Sequence, residues 1–113
     1  MKILISRVYG PAPAGYRALV DALWPRGLSK PKAALDEWCK TLAPGTTLRQ
    51  WFNHEPAKWP EFQKRYTVEL KANQAEALAL LNRAGKGPLI LLYGAADTEH
   101  NQAIVLQRFL QTL

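Results

Sequence analysis

The five residues Leu89 to Tyr93, LILLY, decide the fold. Apolar side chains fall on both faces of this short run, the pattern of a central strand covered on both sides. Gly85 and Gly87 close the element before it, and Asp97 or Thr98 can cap a final helix whose inward residues would be Ala103, Ile104, Leu106 and Leu110. Upstream, a long helix is expected from Asn53-His54-Glu55-Pro56, with Trp59, Phe62, Tyr66 and Leu70 at spacings of three and four. Asn73 with Glu76 resembles a fresh cap, so that helix should break or bend there before Leu78, Leu81 and Ala84 continue the stripe.

The N-terminal half reads less regularly. Lys2 to Tyr9 is a β-rich first strand, Gly10 to Gly15 (GPAPAG) a turn, and Arg17 to Leu23 a second strand, with helix as its alternative on propensity. So short a turn predicts antiparallel pairing of the two strands, because a parallel crossover takes about a dozen residues or more. Trp24-Pro25-Arg26-Gly27 ends the second strand. Ser29 can then cap a helix with Pro31 in its first turn and Leu35, Trp38, Cys39 and Leu42 on one face. Thr47 with Gln50 forms the pattern of a capping box for a short helix burying Leu48, Trp51 and Phe52. Together these elements predict one α/β layered domain over residues 1–113, a central sheet flanked by helices.

Composition agrees. With 113 residues, of which 48% are hydrophobic and 21% charged, the chain suits one compact core and excludes disordered and fibrous classes. The longest apolar run, Pro88 to Ala96, is about half the roughly 20 residues a membrane helix requires, so no membrane partner is expected. The N-terminus lacks a signal-peptide pattern, and one cysteine cannot form an internal disulfide, so a cytoplasmic setting is expected. Two histidines without a cysteine pair make a metal site unexpected. No phosphate-loop, dinucleotide, zinc-protease or nucleophile-elbow motif is present, so no cofactor is implied.

The net charge of +6 sits in residues 1–66, which hold eleven basic and five acidic side chains, against four of each in the remainder. All four tryptophans lie in the same part. Guanidinium groups interleaved with indoles suit an anionic ligand with a flat face, whether a nucleotide or single-stranded nucleic acid. Tryptophans at helical spacing also serve simply as core.

In layered α/β domains, ligands bind beyond the carboxyl ends of parallel strands. Ser6-Arg7, Asp21 to Arg26, and Tyr93 to Asn101 would meet there. Arg7 and Arg26 could grip phosphate or carboxylate, with Lys30 as a further point charge, while the turn after Asp97 would present free N–H groups beside His100 and Asn101. Asp21, the odd residue in ALVDAL, either points to solvent or is buried; an arginine partner would make it structural, and an unpaired position in a cleft would make it an acid or base. Glu69, three residues after Tyr66, and Asp97 complete the carboxylates considered for proton transfer. Cys39 falls on an apolar helix face and reads as core rather than nucleophile; His54 reads as a cap or surface residue.

The runs ALVDALWPRGLSK, DEWCKTLAPGTTLRQWFNH, FQKRYTVEL and LLYGAADTEHNQAIVL resemble the YeaO-like family of small bacterial proteins, from about Ser6 to Leu106. LVD-x-LWPRG-x-SK is the most specific part. The resemblance implies an α/β domain with a largely parallel sheet, at odds with the short-turn argument, and a site near the WPRG loop and the D-x-x-x-N segment. It carries site positions onto Arg7, Asp21, Trp24, Arg26, Lys30, Trp38, Arg49, Trp51, Phe52, His54, Tyr66, Glu69, Asp97 and Asn101. Ala22, Gly45 and Gly94 depart from the arginine, serine and alanine usual in the family, and the missing arginine thins the cationic site. Three functions follow. The first is an enzyme or binding domain for a small anionic, nucleotide-like ligand, with Arg7, Trp24, Arg26, Lys30, Arg49, Tyr66, His100 and Asn101 binding and Asp21, Glu69 or Asp97 moving protons. The others are a nucleic-acid module and a non-catalytic interaction protein.

Overall fold

The computed structural model describes residues 1–11 and 13–113, so Ala12 of the expected Gly10–Gly15 turn lies outside the described residues. Four strands, β1 (Ile3–Arg7), β2 (Tyr16–Leu19), β3 (Glu37–Trp38) and β4 (Leu89–Tyr93), form one sheet in the order β1-β4-β2-β3. Every pairing is parallel, with Ile3 beside Leu89, Tyr16 beside Leu89 and Ala18 beside Glu37. β4 is central and all five of its residues are buried, as its two-sided apolar pattern predicts.

The expected antiparallel pairing of the first two strands is incorrect: β1 and β2 are not neighbours, because β4 lies between them. The residues between Arg7 and Tyr16 can reach roughly 27 Å when extended, enough to run back along a short strand and across two strand spacings of about 4.8 Å without a helix. β2 is also shorter than Arg17–Leu23, and its pairing with β4 continues only to the bond from Val20 N to Leu92 O at 2.9 Å. The sheet buries Ala18, Val20, Leu89 and Leu91 on one face, against the helices, and Leu19, Ile90 and Leu92 on the other, under Trp24, Leu28, Leu35 and Trp38.

Among the described residues five α-helices follow from local signals: α1 (Lys30–Ala33), α2 (Thr46–Phe52), α3 (Trp59–Ala72), α4 (Gln74–Ala84) and α5 (Gln102–Leu110). Ser29 caps α1 as expected, but that helix is a single turn ending at left-handed Ala34. The expected stripe of Leu35, Trp38, Cys39 and Leu42 is therefore not a helix face. Glu37–Trp38 is a strand, and the period of two sends Trp38 to one face of the sheet and Cys39 to the other. Gly45, not Thr47, is the N-cap of α2, with no side-chain cap bond. A 3-10 turn, Pro56–Lys58, precedes α3, which therefore starts later than expected. The break at Asn73 is real, yet it carries no side-chain cap, and α4 buries Ala77 and Leu80 while Leu78 is exposed. Asn101, not Asp97 or Thr98, caps α5; its Oδ1 accepts from Ile104 N at 3.2 Å, and the buried set is Ala103, Val105, Leu106, Phe109 and Leu110, with Ile104 only partly covered.

Among the described residues no helix is long and apolar enough to cross a membrane.

Candidate functional site

Parallel pairing places the ends of β1, β2 and β4 together, and a cavity of about 470 Å³ opens at that edge. This volume falls within the roughly 300–1,000 Å³ common for small-ligand sites. The loop after β2 contributes Asp21, Ala22, Leu23, Trp24 and Arg26; the loop after β4 contributes Gly94 and Ala95; α2 and its C-terminus contribute Arg49, Phe52 and His54. His100 and Gln102 close it from the start of α5, and Phe62 from α3.

Asp21 is the one carboxylate among these lining residues. Its Oδ2 accepts from Gly94 N at 2.9 Å and its Oδ1 accepts from Gln102 Nε2. Burial pushes its carboxyl above the usual range; the bonds from Gly94 and Gln102 and the nearby His54 pull it back without cancelling that effect. Among the described residues it forms no ion pair, so of the alternatives open in the sequence the unpaired cleft position is the one observed.

Arg26 is exposed at the rim, and its main-chain oxygen accepts from Tyr9 Oη at 2.7 Å. Arg49 is braced by its own helix start, Nε donating to Pro44 O at 3.2 Å and Nη2 to Thr46 Oγ1 at 3.1 Å. Trp24 packs edge-on to Trp38 with centroids 5.2 Å apart, and its Nε1 donates to Leu28 O. Trp38 Nε1 donates to Asp21 O at 2.7 Å, fixing the main chain that carries the carboxylate. His100 Nδ1 lies 2.9 Å from Asp97 Oδ2, and its ring meets Trp59 edge-on at 5.4 Å. Pairing at Nδ1 leaves Nε2 as the free ring nitrogen.

Of the residues singled out in the sequence, Asp21, Trp24, Arg26, Arg49, Phe52, His54 and His100 are thus brought together. The others stand behind or away from the cavity. Arg7 donates to Ala95 O at 2.9 Å and to Gly94 O at 3.4 Å, holding the β4 loop rather than lining the space. Lys30 is exposed on α1 and does not line it. Tyr66 is fully buried and donates to Leu42 O at 2.5 Å, while Glu69 accepts from Gly45 N at 2.8 Å; both pin the segment leading into α2. Burial drives the Tyr66 phenol far up. Asp97 accepts from Glu99 N and His100 N at 2.9 and 3.0 Å, so the N–H groups expected to be free for an anion are already bound. Those bonds, Glu99 first, hold its carboxyl below the usual range. Asn101 is 2% exposed and serves as the helix cap.

Gln102, Gly94 and Phe62 line the cavity without being marked as site residues in the sequence, and His54, marked by the family resemblance, faces it although its local pattern is that of a cap or surface residue. His54 follows Asn53 in the left-handed region, φ 54° after 45°, and this pair of turns places it at the cavity although it is exposed. Cys39 is buried elsewhere, its thiol donating to Glu37 at 3.0 Å and pushed up by burial, which fits the core reading. Among the described residues, no three of His, Cys, Asp and Glu cluster as metal ligands.

The family model DUF488-N3i, described as "Inactive DUF488-N3 subclade", matches residues 2–113. The chain belongs to this family. It is 45% identical over 115 residues to the uncharacterised protein YeaO of Escherichia coli (strain K12), covering 100% of both chains. It is 33% identical over 112 residues to the uncharacterised protein Rv3073c of Mycobacterium tuberculosis (strain ATCC 25618 / H37Rv), covering 96% of this chain and 93% of that one. The resemblance to YeaO-like proteins, and the parallel sheet it implies, therefore hold. No solved structure gives a significant match.

Proposed function

We propose that this DUF488-N3i domain binds a small anionic ligand in the cavity at the carboxyl edge of the sheet, without turning it over. The observation that carries this reading is the lining itself: two arginines, Arg26 and Arg49, and one carboxylate, Asp21, share a cavity with the half-buried indole of Trp24, over an apolar floor where the buried rings of Phe52 and Phe62 stack on each other at 4.3 Å. Guanidinium groups hold phosphate or carboxylate in two-point geometry, and an indole accepts a planar body. The earlier set of Arg7, Arg26 and Lys30 is revised accordingly, with Arg49 in place of the two that do not line the space. The family's description as inactive favours binding over catalysis, and no activated nucleophile faces the cavity among the described residues. The lone, buried Cys39 suits a reducing cytoplasmic setting.

The nucleic-acid alternative is less well supported, because the indoles are dispersed and partly buried. Lys58 and Arg65 sit over the Trp51 ring at 5.2 and 4.2 Å, and Lys40 over Trp38 at 3.9 Å, occupying faces on which bases would stack.

A thermal-shift screen of the wild type and Arg26→Ala against nucleotides, phosphosugars, carboxylates and a short RNA tests the proposal. Ligands that bind only the native state raise the midpoint, by about 4–8 °C per kcal/mol in a domain of this size. One small anionic class should shift the wild type and lose its effect in the variant. A shift with RNA alone, or an equal shift in Arg26→Ala, would overturn it.

A further inference from the structure

The Asp21 end of the cavity has a different chemistry from the arginine rim, and that difference identifies the other half of the ligand. Each Asp21 oxygen receives one protein donor, Gly94 N on Oδ2 and Gln102 Nε2 on Oδ1. An ionised carboxylate offers about four acceptor positions, so two remain open, and the Gln102 amide oxygen adds another acceptor beside them. Among the described residues no protein cation completes the set: His54 acts on Asp21 only through its charge and forms no ion pair with it, and Arg7 is engaged by the carbonyls of Gly94 and Ala95. A half-buried carboxylate without a cationic partner is costly, and a ligand N–H offsets that cost.

An acceptor-rich end, a guanidinium rim and the half-buried indole of Trp24 in one cavity fit a ligand with an anion at one end and N–H donors on the edge of a planar ring at the other. Resting on the anion-binding reading, we infer that the cavity takes a nucleotide whose base carries an exocyclic amine, the amine donating to Asp21 while Arg26 and Arg49 hold the phosphate. An α-amino acid would satisfy both charged ends but leave the Trp24 indole without a planar partner.

Titration calorimetry on the full chain tests this with AMP, CMP, GMP, ribose 5-phosphate and purine riboside 5′-monophosphate, the last being AMP without its amine. At least one amino-bearing nucleotide should bind about ten-fold more tightly than purine riboside 5′-monophosphate, the worth of a hydrogen bond to a charged group. In Asp21→Asn, which exchanges one acceptor oxygen for an amide of the same shape, that preference should fall to about two-fold, while ribose 5-phosphate binds no more weakly because a negative charge has left the cavity. Near-UV circular dichroism of the variant confirms that its fold is kept. Equal binding with and without the amine, or a preference that survives Asp21→Asn, overturns the inference. Binding of ribose 5-phosphate without any preference among nucleotides overturns it while leaving the anion site standing; no binding by any probe overturns both.

Discussion

The Gly94 amide donates to Asp21 Oδ2 at 2.9 Å, and a Cβ on residue 94 would stand 2.8 Å from that same oxygen. Only a residue without a side chain lets the carboxylate sit this close to the end of β4. Gly94→Ala should therefore swing the Asp21 carboxylate away from the strand end while the sheet stays intact. The expected outcome is a loss of stability of about 1 kcal/mol, the scale of one displaced hydrogen bond, together with a weakened preference for amino-bearing ligands. Denaturant unfolding and calorimetry measure the two effects; unchanged values for both would show that the close approach has no role.

A second polar cluster lies at the opposite, amino-terminal side of the sheet. Glu37 accepts from both Arg83 Nε and Arg83 Nη2 at 2.8 Å, from Tyr16 Oη at 2.7 Å and from Cys39. Burial pushes its carboxyl up, but the bonds from Arg83, Tyr16 and Cys39 outweigh it and hold the group at about 2. A carboxylate depressed in the native state contributes stability that is present above its ordinary value of 4.5 and is lost as pH falls through about 2. Arg83 is largely exposed, so Arg83→Met should cost only about 1 kcal/mol at pH 7. The difference between variant and wild type should shrink as pH falls below 4.5. Chemical denaturation from pH 7 to pH 2.5 measures it, and a pH-independent difference would refute the ion-pair account.

The cap of α5 shows how the sequence misleads when three acceptors stand close together. Asp97, Thr98 and Asn101 all have N-cap chemistry, and their spacing to the apolar run does not separate them. In the structure Asp97 closes the turn before the helix and Asn101 caps it, its Nδ2 also donating to Asp97 O at 3.0 Å. Asn101→Ala should cost about 1–2 kcal/mol, a lost cap together with an abandoned buried carbonyl. Asp97→Ala should leave α5 in place but release His100, which NMR of the imidazole would reveal. A larger loss of stability in Asp97→Ala than in Asn101→Ala would reverse the assignment.

Such ambiguities mark where the fold was legible. LILLY is apolar on both faces and the stripe from Phe62 through Leu70 on one, and the strand and the buried helix face formed as read. Residues 29–42 misled because Leu35, Trp38, Cys39 and Leu42 match a helical period while the chain buries them on two faces of a sheet, a choice made by long-range pairing with β2. Asp21 stood out as one polar residue in an apolar run, Arg26 as a cation in the loop after the second strand, and Arg49 only through the resemblance to YeaO-like proteins. Gln102 and Phe62 gave no local signal; only the parallel register brings their elements to the cavity.

Ala22 turns the cationic reading into a gain-of-function test. It lines the cavity next to Asp21. Ala22→Arg would add a third guanidinium to a space already lined by Arg26 and Arg49, raising local positive charge without removing any bond described above. Binding of ribose 5-phosphate should tighten about three- to ten-fold at low ionic strength, and the gain should shrink in salt, because exposed charges are screened beyond about 10 Å at 0.1 M. Calorimetry at two salt concentrations measures both. A folded Ala22→Arg that binds no better even when combined with Asp21→Asn, which removes the neighbouring carboxylate able to pair with the new guanidinium, would mean that anions do not occupy this cavity.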